Sequence, residues 1–402
     1  MKRLVTSIAV AAVVLFAVAG CGKKDTPPGP GPAPVPKTKP EAPKTEPQGK
    51  TEAPAAPRRS LAESAALGVS YLAKNQNETG SFGKQREDVG ITGMVVYALA
   101  SGPKAKTPEV KAVVDKAAQY LLKNVRENGS INNDEKMLAM YRTSLAMLAL
   151  AAADPVKYED AIKGGREFLK KMQFSEENGG FDPKQWQYGG WNYDDKKEGD
   201  VPDPDLSNVQ FVVTALRDSG LSPDDEAFKR AIVFLNRCQN SSETNDMPNA
   251  GNDGGGVYAP IESKAGDQEN PDGTQTLLSY GSMTYALLKS FIFCSVPKED
   301  KRVQAAYKWV TAHYTVDENP PLGKQGLFYY YLSMARSLDA FGVDKVKTAD
   351  GREHDWRAEL SAKIISLQKD DGSWVNEADR WMESDPTLVT GYALSVLNFC
   401  RK

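Results

Sequence analysis

Gln368-Lys369-Asp370-Asp371-Gly372-Ser373-Trp374, near the end of the chain, and Gln76-Asn77-Glu78-Thr79-Gly80-Ser81-Phe82, near its beginning, share one order: Gln, three polar residues, Gly, Ser, aromatic. Each follows a helix-like segment. Gln185-Trp186-Gln187-Tyr188-Gly189-Gly190-Trp191 keeps the spacing inside a longer loop, and weaker copies stand at Asn128–Ile131, Asn178–Phe181 and Asn252–Gly256. Glycine accepts the left-handed conformation that ends a helix, the aromatic then folds back, and the glutamine amide reaches a neighbouring backbone group. These are structural stops rather than catalytic motifs. Their recurrence makes the chain an internal repeat.

Between the stops two kinds of helical segment alternate. One is amphipathic: Trp356, Leu360, Ile364 and Leu367, or Phe228, Ile232 and Leu235, form one apolar stripe among charges. The other is apolar nearly all round: Ile91–Ala100, Ser144–Ala153, Phe211–Leu216, Met283–Cys294, Phe328–Leu338 and Leu388–Phe399. A helix without a polar face must be covered on every side. Pairing the two kinds gives about six hairpins, beginning near Leu61, Pro108, Tyr158, Asp225, Asp300 and His354. The expected fold is all-α, a double-layered (α/α)6 toroid with the apolar helices inside.

The Gln-x-x-x-Gly-x-Trp pattern resembles the repeat of squalene–hopene cyclases and the related protein prenyltransferase β-subunits. The resemblance covers most of residues 61–402 and is best in the first, third and sixth hairpins; the fifth, Lys301–Gly326, lacks the motif. It implies that the inner ring encloses a cavity for an isoprenoid chain. The cyclases protonate an alkene with the middle aspartate of Asp-x-Asp-Asp. Here Asp203-Pro204-Asp205-Leu206 aligns Asp205 with that proton donor, with Asp203 before it and Leu206 in place of the last aspartate. By itself Asp205 reads equally as the N-cap of the third inner helix. The prenyltransferase branch needs zinc held by Asp, Cys and His. Only His313 and His354 exist, neither at the mouth of an inner helix beside a cysteine, and no Cys-x-x-Cys occurs. No metal and no cofactor is expected.

The loop from Phe181 to Gln210 is the richest candidate mouth of the cavity. It carries Trp186, Tyr188, Trp191, Tyr193 and the acids Asp194, Asp195, Glu198 and Asp200, and leads through Asp205 to Asn208. Its acids miss the calcium-loop pattern because Lys196 stands where an oxygen ligand is needed. Tyr280 and Tyr285 flank the start of the fourth inner helix, and Tyr329 and Tyr330 open the fifth. With Trp186, Trp191 and Asn208 they are the candidate ligand-binding residues; their aromatic faces suit an apolar chain or a sugar, or pack the core. No Cys-Gly-Glu-Gln thioester sequence, Gly-rich phosphate loop or Gly-x-Ser-x-Gly elbow occurs.

The N-terminus gives the address. Lys2 and Arg3 precede an apolar run, Ile8–Ala19, too short to span a bilayer. Val18-Ala19-Gly20-Cys21 resembles the lipobox of bacterial lipoproteins, which implies that residues 1–20 are a removed signal peptide and that Cys21 is acylated. Gly22 favours the outer membrane, and a periplasmic or cell-surface location follows. Residues 21–59 are a Pro-rich tether that cannot bury enough surface to fold, and 60–402 form the domain. The net charge of −3 gives no basic field for nucleic acid. Cys238, Cys294 and Cys400 read as buried small hydrophobes, or as one disulfide and one free thiol. The chain is thus expected to be a membrane-anchored toroid that binds an isoprenoid, lipid or other elongated ligand. Its rivals are a terpenoid cyclase acting through Asp205 and a glycan-binding or lyase-like toroid.

Overall fold

The computed structural model describes residues 59–133, 137–193 and 203–401. The signal peptide, Cys21, nearly all of the tether and the acids Asp194, Asp195, Glu198 and Asp200 lie outside the described residues.

Six helices form an outer layer: α1 (Leu61–Lys74), α3 (Pro108–Lys123), α5 (Glu159–Lys171), α7 (Glu226–Arg237), α9 (Lys301–Ala312) and α11 (Trp356–Ser366). Six alternate with them as an inner layer: α2 (Val89–Ala100), α4 (Ala139–Ala153), α6 (Leu206–Asp218), α8 (Gly281–Phe293), α10 (Leu327–Phe341) and α12 (Pro386–Cys400). Each inner helix packs on the next, and α12 packs on α2, so the inner ring closes. The outer layer closes where α1 meets α11. The fold is therefore the all-α, double-layered (α/α)6 toroid.

Polarity explains the layering. Of α2, every residue but Tyr97 and Ala100 is buried, whereas α11 buries only Trp356, Leu360, Ile364 and Ile365. Leu367, expected on the buried stripe, lies just past α11 and is 36% exposed. Cys238, Cys294 and Cys400 are buried and unpaired.

The repeat sequence works as a tie. Gln368 Nε2 donates to Gly372 O (3.0 Å) and to Ser64 O of α1 (2.8 Å), closing the outer ring. Gln76 makes the same two bonds, to Gly80 O and to Val113 O of α3. Gly372 has φ +91°, and a Cβ there would lie 2.6 Å from Leu67 O, so only glycine permits the chain to press against the next outer helix. Trp374 folds back and donates Nε1–H to Ile364 O at 2.7 Å.

Two ties differ from the sequence reading. In the third hairpin the tie is Gln173, which bonds Gly189 O (3.0 Å) and Ala227 O (2.9 Å) across an insertion; Gln185 instead accepts from Asp182 N. In the fourth, Gln239 bonds Gly254 O and Arg302 O, also across an insertion. That long connection carries a small antiparallel ribbon, β1 (Asp267–Glu269) with β2 (Gln275–Leu277). A second ribbon, β3 (Lys345–Lys347) with β4 (Glu353–Asp355), precedes α11.

Candidate functional site

Because every inner helix follows an outer one, all six inner N-termini point to the same end of the ring. Their first turns enclose a cavity of about 380 Å³. Ile91, Phe211, Met283 and Leu388 supply aliphatic and aromatic wall, and Tyr141, Tyr193, Tyr258, Tyr280, Tyr329 and Tyr392 supply phenols. Tyr141 meets Phe211 edge to face at 5.1 Å between centroids, and Phe211 meets Tyr329 at 6.1 Å. Such aromatic pairs hold a wall rigid. Burial pushes the Tyr141 phenol up to about 12, and the Tyr193, Tyr280 and Tyr392 phenols also lie well above their usual value for the same reason. The rings therefore present neutral hydroxyls to whatever occupies the cavity.

Among the described residues two acids line the cavity, Asp88 and Glu383, and a third, Asp205, lies behind its wall. Asp88 caps α2 through Oδ1, while its Oδ2 accepts from Arg142 Nη2 (2.6 Å) and Nε (3.1 Å). Arg142 is fully buried and also donates to Asn132 Oδ1 and Met137 O. Glu383, just before the neighbouring α12, caps α10: its carboxylate accepts from Tyr329 N (2.8 Å), Phe328 N (3.3 Å) and Asn376 Nδ2 (2.7 Å). Burial raises the Glu383 carboxyl, and those hydrogen bonds oppose the rise.

Asp205 is different. Its Oδ1 accepts from Asn208 N at 2.9 Å, the N-cap of α6, but among the described residues Oδ2 meets no donor at hydrogen-bond geometry. Asp205 is 1% exposed. Desolvation pushes its carboxyl up to about 7; the Asn208 N–H and the facing hydroxyls of Tyr258 and Tyr193 restrain the rise, and Asp203 adds to it. The group is thus poised between acid and carboxylate near neutral pH.

The rim is strained. Leu138, Trp381 and Met382 line the cavity with φ of 61°, 66° and 65°, a region that side chains with a Cβ seldom occupy. Trp381 and Met382 are nearly half exposed.

The candidates from sequence divide. Tyr280 and Tyr329 line the cavity, and Asp205 lies behind its Tyr193–Tyr258 wall. Asp203 is exposed. Trp191 is buried and donates Nε1–H to Leu169 O at 2.6 Å, the same fold-back as Trp374. Trp186 packs on the core edge. Asn208 ties the Trp191 and Asn192 carbonyls, Tyr330 donates to Thr315 O, and Tyr285 packs on Tyr330 at 5.6 Å. Sequence reasoning passed over Tyr141, Tyr258, Asp88, Arg142 and Glu383. Tyr258 carried a usable signal: it stands four residues after Gly254, the register in which Tyr193 stands after Gly189 in the preceding repeat.

No protein-family model and no curated protein matches this sequence. Solved structures do. A substituted form of the type II terpene cyclase MstE from Scytonema, in complex with its substrate geranylgeranyl dihydroxybenzoate, matches with a TM-score of 0.51 and 14% identity, over 85% of this chain and 97% of that one. A GH76 α-mannanase from Bacteroides thetaiotaomicron matches with a TM-score of 0.54 and 11% identity, over 85% and 97%. A family 76 glycoside hydrolase from a bovine strain of the same species gives 0.53 and 11%, over 84% and 78%. At these identities the likeness is one of fold.

Proposed function

We propose that this chain is an exported lipoprotein of the cyclase-like repeat class, held at a membrane through acylated Cys21, and that its ring binds an apolar, isoprenoid-like ligand. The cavity carries this reading: about 380 Å³, within the range of small-molecule sites, open at its rim and with a predominantly apolar wall of aliphatic side chains and tyrosine rings. Two of the three acids are already engaged, Asp88 by Arg142 and Glu383 by backbone N–H groups. The geranylgeranyl substrate held by a toroid of the same fold supports the ligand class.

The test is a binding panel on the full chain, purified in detergent. Thermal unfolding is followed with isoprenoid alcohols and with α-mannan oligosaccharides, alongside native mass spectrometry of the protein from its own host. Saturation at a hundredfold over Kd stabilises by about 2.7 kcal/mol, which for a domain this large raises Tm by about 4 °C. A shift with the mannan series and none with isoprenoids refutes the reading and favours a glycan-binding toroid.

A second reading rests on Asp205 alone. A buried carboxyl pushed up to about 7 behind the Tyr193 and Tyr258 hydroxyls is a candidate proton source, through those hydroxyls, toward an alkene whose developing cation the Tyr rings would face. Leu206 stands where the cyclases have a further aspartate. Turnover of a polyene that survives Asp205→Asn removes this reading.

A further inference from the structure

At the end of the ring where the inner helices finish, opposite the tyrosine cavity, four helices leave a second cavity of about 260 Å³, open to the surface. It lies where α1 and α3 of the outer layer meet the C-terminal halves of α2 and α12. Alanines open it: Ala62, Ala65 and Ala66 of α1 and Ala98 of α2. The gap is local. One turn further along α1, a Cβ at Gly68 would lie 2.8 Å from the Trp374 ring and 3.0 Å from Leu394, so the helix is pressed hard against its neighbours there. Protein interiors keep few voids larger than a water, so a groove of this size calls for an occupant.

The wall selects that occupant. Leu99, Val110 and Leu394 are buried and aliphatic, and no aromatic ring lines the groove. Its one amide, Asn398, donates to Ala98 O at 2.9 Å. Such a wall suits an alkyl chain. The charged lining is cationic only: Lys104, in the turn after α2, and Arg401, just past α12, line the groove, and among the described residues no carboxylate does. Neither side chain makes an ion pair or a hydrogen bond with a described residue. Arg401 is half-buried, and desolvation lowers its guanidinium from the usual value. Taking a cation out of water without a counter-ion is unfavourable, and an anion at the end of an apolar chain would supply one.

We infer that this groove binds a free fatty acid, its alkyl chain against the alanine and leucine wall and its carboxylate on Arg401 and Lys104. A guanidinium takes a carboxylate through two parallel hydrogen bonds, and the lysine adds a second positive charge. A bilayer surface fits less well. Proteins enter bilayers with projecting apolar side chains, and none of the large exposed apolar residues lines this groove. The site shares no lining residue with the tyrosine cavity and does not depend on what that cavity holds. Each methylene buried in the groove should tighten binding about fourfold until the wall is covered.

The experiment uses the full chain in phosphatidylcholine nanodiscs at pH 7, where a carboxylic acid is ionised. The probes are dodecanoic acid with a diazirine on its chain and the matching dodecanol. After illumination, peptide mass mapping locates the adducts. The acid should label α1 and α12 at the groove, and Arg401→Gln should weaken its binding about tenfold or more, with Arg401→Lys retaining most of it. Dodecanol labelling should not respond to either change. Ala62→Trp, at an exposed position, fills the groove and should abolish labelling by both probes there. Labelling confined to the tyrosine cavity, no labelling, equal losses of acid and alcohol in Arg401→Gln, or labelling that survives Ala62→Trp overturns the inference. So does a diazirine phosphatidylglycerol in the nanodisc that labels the same segments more strongly than the acid, since the groove then belongs to the membrane.

Discussion

Asp205→Asn separates a helix cap from a poised acid, because it keeps the first and deletes the second. Asparagine caps a helix as well as aspartate, so the bond from Asn208 N survives the change. The titration does not survive. In the native state the carboxyl is pushed from 3.8 to about 7, so between these pH values the folded protein binds the proton that the unfolded chain releases. A folded value above the unfolded one means that stability falls as pH rises through that window. At 1.36 kcal/mol per pH unit the full effect is about 4 kcal/mol, complete above pH 7 and absent below pH 4. Urea unfolding of wild type and variant at intervals from pH 4 to 8.5 measures it, since every other titration cancels in the difference. The variant should match the wild type at pH 4 and exceed it by up to about 4 kcal/mol at pH 8. A difference that stays flat with pH, or one in which the variant is weaker at pH 8, refutes the poised acid and leaves Asp205 as a cap only.

Three further experiments test the ring. Gly372→Ala sets a Cβ 2.6 Å from Leu67 O at a φ of +91°, and should cost about 3 kcal/mol in urea unfolding. Gln173→Leu strands the Gly189 and Ala227 carbonyls and should cost about 2–3 kcal/mol, whereas Gln185→Leu, at an exposed position, should cost under about 1 kcal/mol; equal losses would reassign the tie. Arg142→Met leaves the buried Asp88 carboxylate with only the more distant Arg86, 3.9 Å away, a loss of about 3 kcal/mol. Adding Asp88→Asn should recover part of it, and purely additive losses in that double-mutant cycle would show the pair to be uncoupled.

The ring was legible because it depends on quantities a sequence displays directly. A helix with no polar face has to be inside, and α2, α8 and α12 show this without exception. Boundaries failed where an inner helix begins with polar residues that find buried partners. α4 starts at Ala139 rather than at Ser144 because Arg142, which looks like a surface residue, is paired with Asp88. α6 starts at Leu206, where the Asp205 cap sets it, although its apolar stretch begins only at Phe211, because Asn208 and Gln210 are buried on backbone carbonyls, Tyr329 and Lys289. In both cases the partner lies on another element, so nothing local reveals it. The third and fourth ties were misplaced for a related reason: insertions separate Gln173 from Gly189 and Gln239 from Gly254, and a fixed spacing finds the wrong glutamine or none.

The cavity wall was less legible than the ring, yet the ring's own period contains part of it. In the first, second, fourth and sixth repeats the glycine touches the next outer helix, and the residue two later donates its backbone N–H to a threonine of the inner helix: Phe82 to Thr92, Ile131 to Thr143, Gly256 to Thr284 and Trp374 to Thr390. Two residues further on, the chain reaches the mouth of the ring. That register places Tyr193 and Tyr258 against the cavity in the third and fourth repeats, and in the sixth it places Asn376, which holds Glu383. In the second it gives Asn133, whose Oδ1 accepts from Val89 N at the start of α2. In the third and fourth repeats the register thus puts a side chain on the cavity wall, whereas in the first it falls on the exposed Lys84. Tyrosines occupy that register on the side where Asp205 sits, and amides occupy it where the acids are already engaged. The chemical asymmetry of the cavity therefore follows the repeat number, and substitutions exchanging these positions, such as Tyr258→Asn, should alter the titration of Asp205 while leaving the ties intact.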